Sequence, residues 1–525
     1  MLEAGAIPVI AEIDESLTID PEDIEIKDTK RTQDGVTFAE VGEGNLNISG
    51  IVKTAKSLGI TDFIVEQDIC DADPLTSARI SFENLKKIWR HSMENELYLG
   101  VGRKIITPKI GACLYGYRPG LESTAVNDDL TATAFYFKQG ERKSLLVSVT
   151  LGGVQTDICN GIFKTAEEKY GIPHSAALMN SIHTHSAPNI VGSHGWGDID
   201  AEYRDETFIP NTLLAIDEAV SSAKPVTMAI AQGESKIGIN RREITLENNV
   251  KLGQNPWGAY NPKMTILSFK DEDGTPVANI IHYGAHATAA GPNFEISRDW
   301  PGVMIDTLES ESGAITAFVN GPEGDVGPRL SNGETTGDGD ISYALRHGAW
   351  AAQDAVRIYR SMGYYHTPKL SYYSGTLDIP LCKRISLDEA KLEYEKYRGE
   401  TVNYKAKKEK YYREIIESYE NGYTEKQTRS IEQRIIRLGD VAFVGFSFEP
   451  FSEIGMRIDA ASKIPHVLSL SNTNGVGGYF ATESEICRGG YEIEMARSSS
   501  IQPFVANGDW YVVTNTLKNL EMTEE

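Results

Sequence analysis

The sequence predicts an α/β protein in two parts, divided near residue 96, on three observations. Over the first hundred residues short strands and helices alternate in the order of parallel βα units. Two later apolar runs end in histidines, Met-Asn-Ser-Ile-His-Thr-His (179–185) and Ile-Ile-His-Tyr-Gly-Ala-His (280–286), as buried strands that feed a site do. At 525 residues the chain is also too long for one ordinary domain.

Taken in order, Asp-Ile-Glu-Ile-Lys-Asp (23–28) is a short strand, and 35–45 is a strand running into the glycine-rich turn Val-Gly-Glu-Gly-Asn. Residues 48–58 have helical spacing and stop at Gly59, a residue type suited to the left-handed turn after a helix end. Asp-Phe-Ile-Val-Glu-Gln-Asp (62–68) is a buried strand, and 74–89 is an amphipathic helix. From Leu97 the pattern changes, with a strand at Leu-Tyr-Leu-Gly-Val-Gly (97–102) and further strands and helices to about residue 359. Residues 386–432, rich in Lys, Glu and Tyr, are expected as one or two exposed helices, either a lid or the dimer arm of a homo-oligomer. Strand character returns at 441–448 and is followed by a helical run over 451–462.

Composition narrows the function. A net charge of −24 argues against nucleic acid as a partner and against docking on anionic lipid. No apolar run reaches the length of a membrane span, and the first residues lack the basic start and apolar core of an export signal. The five cysteines (70, 113, 159, 382 and 487) form no C-x-x-C pair and read as reduced thiols of a cytoplasmic protein. A metal site here must then draw on His, Asp, Glu or Tyr, ligands that suit zinc in an open catalytic position.

Side chains alternate along a strand, so His183 and His185 are expected on one face, placed to share one metal or one reacting group. Two core histidines satisfied by backbone carbonyls would give the same pattern. His286 shares a face with His282 if the strand runs unbroken, although Gly284 allows a bulge. Glu449, between an apolar strand and Pro450, is either a helix cap or a ligand at the open sheet end. Gly-Pro-Glu-Gly-Asp-Val-Gly-Pro (321–328) is a tight turn that brings backbone N–H groups close to a ligand, as in an oxyanion hole, or an ordinary loop in which Asp325 caps its own backbone. Tyr479, after a flexible Gly-Val-Gly-Gly stretch, is a metal ligand, a proton donor or a buried structural phenol.

The first 96 residues resemble the end of a sugar-phosphate isomerase/epimerase, a xylose-isomerase-like TIM barrel. The matching motifs are Ile-Lys-Asp (26–28), Glu-Val-Gly-Glu-Gly-Asn (40–45), Val-Glu-Gln-Asp (65–68) and Asp-Pro-Leu-x-Ser-Ala (73–78). Glu66 matches a metal-ligating glutamate of that family, while Glu25 stands where a histidine is common. Only two or three of eight βα units are represented, so a truncated, inactive (β/α)8 fragment is expected.

Residues 97–525 resemble the catalytic domain of the neutral/alkaline non-lysosomal ceramidase family. The family's Thr-His-Thr-His-Ser-Gly-Pro is Ile-His-Thr-His-Ser-Ala-Pro (182–188) here, and its Gly-x-Gly-x-x-x-Ile-Thr and Gly-Tyr are matched at 100–107 and 116–117. The resemblance implies mixed β-sheets flanked by helices and one zinc per chain. It implies His183, His286, Glu449 and Tyr479 as ligands, with His185, Arg241 and Tyr491 holding the substrate amide or its oxyanion. Gly327 replaces the family's serine in the Gly-Asp-Val-Gly-Pro turn (324–328), which removes a covalent serine route there and argues against ceramide itself as substrate. The immunoglobulin-like C-terminal domain of full ceramidases has no counterpart in the chain. The expectation is a metal-dependent amide or acyl hydrolase, with metal-bound water attacking a small acylated substrate, an acylated sugar among the candidates. Two alternatives are a non-catalytic metal- and ligand-binding descendant and a remnant isomerase fusion.

Overall fold

A computed structural model of the chain describes residues 39–44, 46–57, 73–94, 96–192 and 194–524. The chain divides into two compact units, Met1–Glu96 and Leu97–Glu525, and the boundary falls where the sequence pattern changes.

In the first unit, α1 (Ile48–Ser57) and α2 (Pro74–Glu94) pack around Val41, Ile48 and Val52. Asp73 caps α2 by accepting the Thr76 N–H at 3.1 Å, and Pro74 occupies the first helical position, where its missing N–H costs nothing. The Ser77 hydroxyl donates to Glu40 at 2.6 Å, and Asn84 donates to the Val41 carbonyl at 2.9 Å. The segments around Glu40 and Ser77 therefore meet, but among the described residues nothing beyond this contact bears on the expected isomerase-like barrel fragment. The strands expected at 23–28 and 62–68, most of that at 35–40, and the residues Glu25 and Glu66 lie outside the described residues.

The second unit has four layers. Its large sheet takes the order β8-β7-β6-β5-β1-β2-β3-β4, from β1 (Leu97–Ile105), β2 (Thr131–Gln139), β3 (Arg142–Val149), β4 (Ala177–Ser181), β5 (Lys224–Glu234), β6 (Lys263–Lys270), β7 (Pro276–Tyr283) and β8 (Ile315–Asn320). A smaller sheet joins β9 (Leu370–Pro380), β10 (Thr428–Leu438), β11 (Val441–Gly445) and β12 (His466–Leu470) in chain order. Strand alternation makes the layers. In β2, Phe135 and Phe137 face the smaller sheet, meeting Leu370, Ile436 and Phe443, while Ala132, Ala134 and Tyr136 face α3 (Thr156–Tyr170) and α4 (Ile209–Ser221). Toward β7 and β8 the same outer face carries α5 (Asp299–Ser312) and α6 (Ile341–Tyr359). In β11, Val441 and Phe443 point into the sandwich. Ala442 and Val444 point the other way, under α9 (Ser452–Ala461) and α11 (Gly508–Glu521). Among the described residues no helix is long and apolar enough to cross a membrane.

The charged segment 386–432 departs from expectation. It holds α7 (Leu387–Tyr397) and α8 (Asn403–Glu420), but its end is strand, because β10 starts at Thr428 and pairs with β9 through eleven residues. The apolar residues Ile431, Ile435 and Ile436 pack into the cores on either side of the smaller sheet, and that burial outweighs the helical look of the charges around them.

Parallel pairs β3/β4, β7/β8 and β11/β12 bring several carboxyl ends to one edge of the sandwich. Buried asparagines tie that edge together. Asn180 donates to the Ser471 carbonyl at 2.6 Å and accepts the Asn320 N–H at 2.9 Å, and the Asn320 side chain donates to the Ile182 carbonyl at 3.0 Å. With every polar group paired at negligible exposure, these amides lock the loops that follow.

Candidate metal centre

Three loops close on one point. β4 ends at Ser181, so His183 and His185 lie past the strand rather than along it, contrary to the sequence expectation. They converge instead because His183 adopts φ 65°, a left-handed conformation costly for a non-glycine residue. Its N–H donates to the Leu151 carbonyl at 3.0 Å and its Nδ1 to the Gly152 carbonyl at 2.6 Å, which leaves Nε2 without a proton.

His286 is built the same way. Its Nδ1 donates to the carbonyls of Glu323 at 2.9 Å and Val326 at 3.1 Å, so its Nε2 is also bare. Thr184 and Ala287 form a parallel bridge that sets the two histidine segments side by side. His282, by contrast, stays in β7 and is bonded to the Ser469 carbonyl at 2.8 Å, away from the centre. Glu449 comes from the short strand Glu449–Pro450, which pairs in parallel with Tyr479–Phe480 and puts Glu449 and Tyr479 in register.

Glu449 Oε2 lies 3.2 Å from His286 Nε2 and 3.7 Å from His183 Nε2, and the three donor atoms fall within 4.8 Å of one another. All three residues are buried. Two nitrogen lone pairs facing a carboxylate oxygen repel unless a proton or a cation lies between them. A proton is disfavoured, since burial and then the Arg241 charge push His286 down to about 3. Burial would raise Glu449, but the positive charge it faces, that of Arg241 included, outweighs it and holds the carboxyl below the usual range. His286 Nε2 and Glu449 Oε2 consequently have no hydrogen-bond partner. Ligands ~2.1 Å from a tetrahedral ion sit ~3.4 Å apart, so the spacing and the donor set both fit zinc.

The other predicted residues surround this cluster. His185 Nε2 is 3.3 Å from His183 Nε2, and its ring packs edge-on against Tyr115 and Tyr117 at 5.3 and 5.0 Å. Burial, then His183, His286 and Arg241, drive its pKa well below the ordinary value, so it is neutral. Gly116, at φ 103°, passes so close that a Cβ there would lie 2.2 Å from His185 Nδ1. Arg241 lies over the Tyr479 ring at 5.2 Å, and its Nε donates to Glu492 at 2.8 Å. The Tyr479 ring is 6.4 Å from His286 and 5.9 Å from Tyr491, the first residue of α10 (Tyr491–Arg497). Burial keeps both phenols protonated.

The glycine-rich turn is not an oxyanion hole. The N–H groups of Gly321, Gly324 and Val326 are spent on the carbonyls of Tyr283, Pro450 and Glu323 at 2.9, 3.1 and 2.8 Å. Asp325 serves α9, accepting the Ser452 N–H at 2.7 Å. Glu323 was not singled out from the sequence, although it is fully buried and its carbonyl orients His286. Burial and the Glu449 charge push its carboxyl well above the usual range, and Ser471 and Asn472 hold it by hydrogen bonds. Only its place between two glycines after a strand hinted at this.

Comparison with known proteins agrees with the architecture. Residues 97–344 match the family model described as neutral/alkaline non-lysosomal ceramidase, N-terminal. Neutral ceramidase B of Dictyostelium discoideum is 28% identical over 178 residues, which are 31% of this chain and 25% of that protein. This chain therefore spans about a quarter of that relative's length in the match. A neutral ceramidase structure from Pseudomonas aeruginosa aligns with TM-score 0.62 at 18% identity, covering 82% of this chain and 74% of its own. A ceramidase complexed with C2 aligns with the same score and identity over 75% of its chain. At that identity the likeness is one of fold.

Proposed function

We propose that the Leu97–Glu525 unit, whose residues 97–344 carry the match to the ceramidase family, is a zinc-dependent hydrolase of an amide or related acyl bond in a small acylated molecule. Its strongest support is the convergence of three buried donors, two of which, His286 Nε2 and Glu449 Oε2, have no hydrogen-bond partner. His183, His286 and Glu449 would hold the ion, with the Tyr479 phenol beside them. When bound, a divalent ion polarises a carbonyl and acidifies a coordinated water.

The chain's own residues supply the rest. Arg241 stays protonated, and its Nη2 is buried without a partner, a donor free for an oxyanion. Tyr491 keeps its phenolic proton and lines the same cavity, so it donates to a substrate oxygen. His185 stays neutral and presents a ring nitrogen to the amide. No serine, threonine or cysteine stands in the 324–328 turn. A Cβ at Gly327 would lie 2.6 Å from Thr335 Cβ, so the backbone there is fitted to glycine.

Elemental analysis of the purified protein, with His183→Ala as control, tests the proposal. About one zinc per chain, lost together with turnover in the control, is the expected result. Hydrolysis without stoichiometric metal would sink the mechanism. Metal retained with no turnover of any acyl substrate would favour the non-catalytic binding protein, a reading that Gly327 in place of a serine also supports.

A further inference from the structure

The cavity in front of the metal centre has a volume of about 1220 Å³ and reaches from His183 and Glu449 out to α8, β10 and the segment after α10. Its far wall is charged. Lys408 and Lys410 there are paired, with Glu494 at 2.6 Å and Glu414 at 2.5 Å. Two other cations on the same wall, Lys407 and Arg429, have no carboxylate within ion-pair distance among the described residues. Lys407 Nζ donates to Ser499 Oγ at 3.2 Å, and Arg429 Nη2 donates to Ser500 Oγ at 2.5 Å. Consecutive serines are about 3.8 Å apart at Cα, so the two cations reach one small region.

This arrangement is unexpected in a chain of net charge −24, which has carboxylates to spare. Arg429 is half-buried, and inside the cavity its five-donor guanidinium meets one hydroxyl and the face of Phe504, 5.0 Å away, which leaves N–H donors for a ligand. Burial lowers the Lys407 pKa to about 8, and the Glu449 charge acts against that fall, so the ammonium senses the metal centre across the cavity. The Ser500 hydroxyl adds a donor of its own, whereas that of Ser499 is spent on the Met495 carbonyl at 2.8 Å. Beside apolar lining from Ile431, Phe480 and Phe504, this part of the wall offers what an anionic oxygen group needs.

We propose that Lys407 and Arg429, with the Ser500 hydroxyl, bind an anionic group, a carboxylate or phosphate, carried by the acylated substrate on the part facing α8. The proposal rests on the cavity being the substrate pocket of the hydrolase. It names a soluble anion, because the net charge of the chain repels an anionic bilayer.

Calorimetric titration of the full-length, metal-loaded protein with inorganic phosphate at low ionic strength provides the test. Wild type should bind at millimolar concentration, and Lys407→Met and Arg429→Met should each lose roughly tenfold to a hundredfold in affinity with metal content unchanged. His183→Ala, stripped of metal, should still bind phosphate, which separates this site from the metal centre. It also makes the result independent of whether the hydrolase reading holds. Equal binding in wild type and both cation variants, or none in wild type, overturns the inference. Capture of phosphatidylserine vesicles that depends on Lys407 and Arg429 would overturn the assignment to a soluble anion.

Discussion

Glu492→Gln is expected to lower stability and turnover together, because one buried carboxylate serves two arginines. Glu492 is 1% exposed and accepts from Arg241 Nε at 2.8 Å and from Arg242 Nη1 at 2.7 Å. Arg242 keeps other acceptors after the change, Glu485 at 2.8 Å and the Gly489 carbonyl at 2.6 Å. Arg241 keeps the Tyr479 side chain and the nearby Glu449 charge, but no second carboxylate bonds it among the described residues. Breaking a buried pair while its partner stays charged costs ~3–5 kcal/mol, and the spare acceptors of Arg242 place this case near the lower end. With ~2.1 cal/mol/K of unfolding entropy per residue over about 430 residues, a loss of ~3 kcal/mol lowers Tm by ~3 °C. Scanning fluorimetry reads that shift. A parallel measurement of kcat and KM should show a fall in kcat/KM, since Arg241 is no longer held over Tyr479. Glu485→Gln is the control: its side chain is 20% exposed and touches only Arg242 of this pair, so about 1 kcal/mol and little kinetic change are expected. A Glu492→Gln protein that melts within a degree of wild type, with unaltered kinetics, would refute the positioning argument.

Three further outcomes are open to measurement. Gly327→Ser places its Cβ 2.6 Å from Thr335 Cβ and should destabilise by about 1–3 kcal/mol without conferring ceramide hydrolysis. An unchanged Tm with new ceramidase activity would show the opposite. Asn180→Ala leaves the Asn320 N–H and the Ser471 carbonyl without this partner and should cost about 2–4 kcal/mol in urea unfolding, with weaker metal retention; a loss below 1 kcal/mol would mean that water replaces the amide. His347, buried under Trp300 and Trp350, is held by burial at about 4. The folded state therefore refuses a proton that the unfolded state takes up near 6.5. Its contribution is complete above pH 6.5 and is lost as pH falls toward 4, by up to ~3.4 kcal/mol. The stability gap between wild type and His347→Phe should shrink over that window, and a gap independent of pH would contradict the assignment.

The candidate ligands were legible because each closes an apolar strand, and such strands end at a sheet edge whatever the details of packing. The strand ends marked His183, His286 and Glu449 as candidates, each with a structural alternative, while the ligand set with Tyr479 and the roles of Arg241 and Tyr491 rested on family resemblance. The residues that escaped notice share a different property. Nothing local marked Glu323, Asn180, Lys407 and Arg429 individually, and their meaning lies in partners 140 to 293 residues away for the first two and 71 to 92 for the others.

Alternating apolar positions determined on their own that the chain makes strands and helices in layers, and the histidine pairs determined that a polar site closes those strands. Those are short-range facts, set by side-chain period and burial. Only the tertiary structure decided that the two histidine segments bridge at Thr184 and Ala287, and that His282 is excluded. It also decided that segment 386–432 folds back to wall the cavity rather than projecting as an arm. A bare Nε2 becomes a ligand only when carbonyls far along the chain take the Nδ1 proton, and a lysine becomes a binding group only where no carboxylate reaches it. Both conditions are set by which distant segments the folded chain brings within a few ångströms.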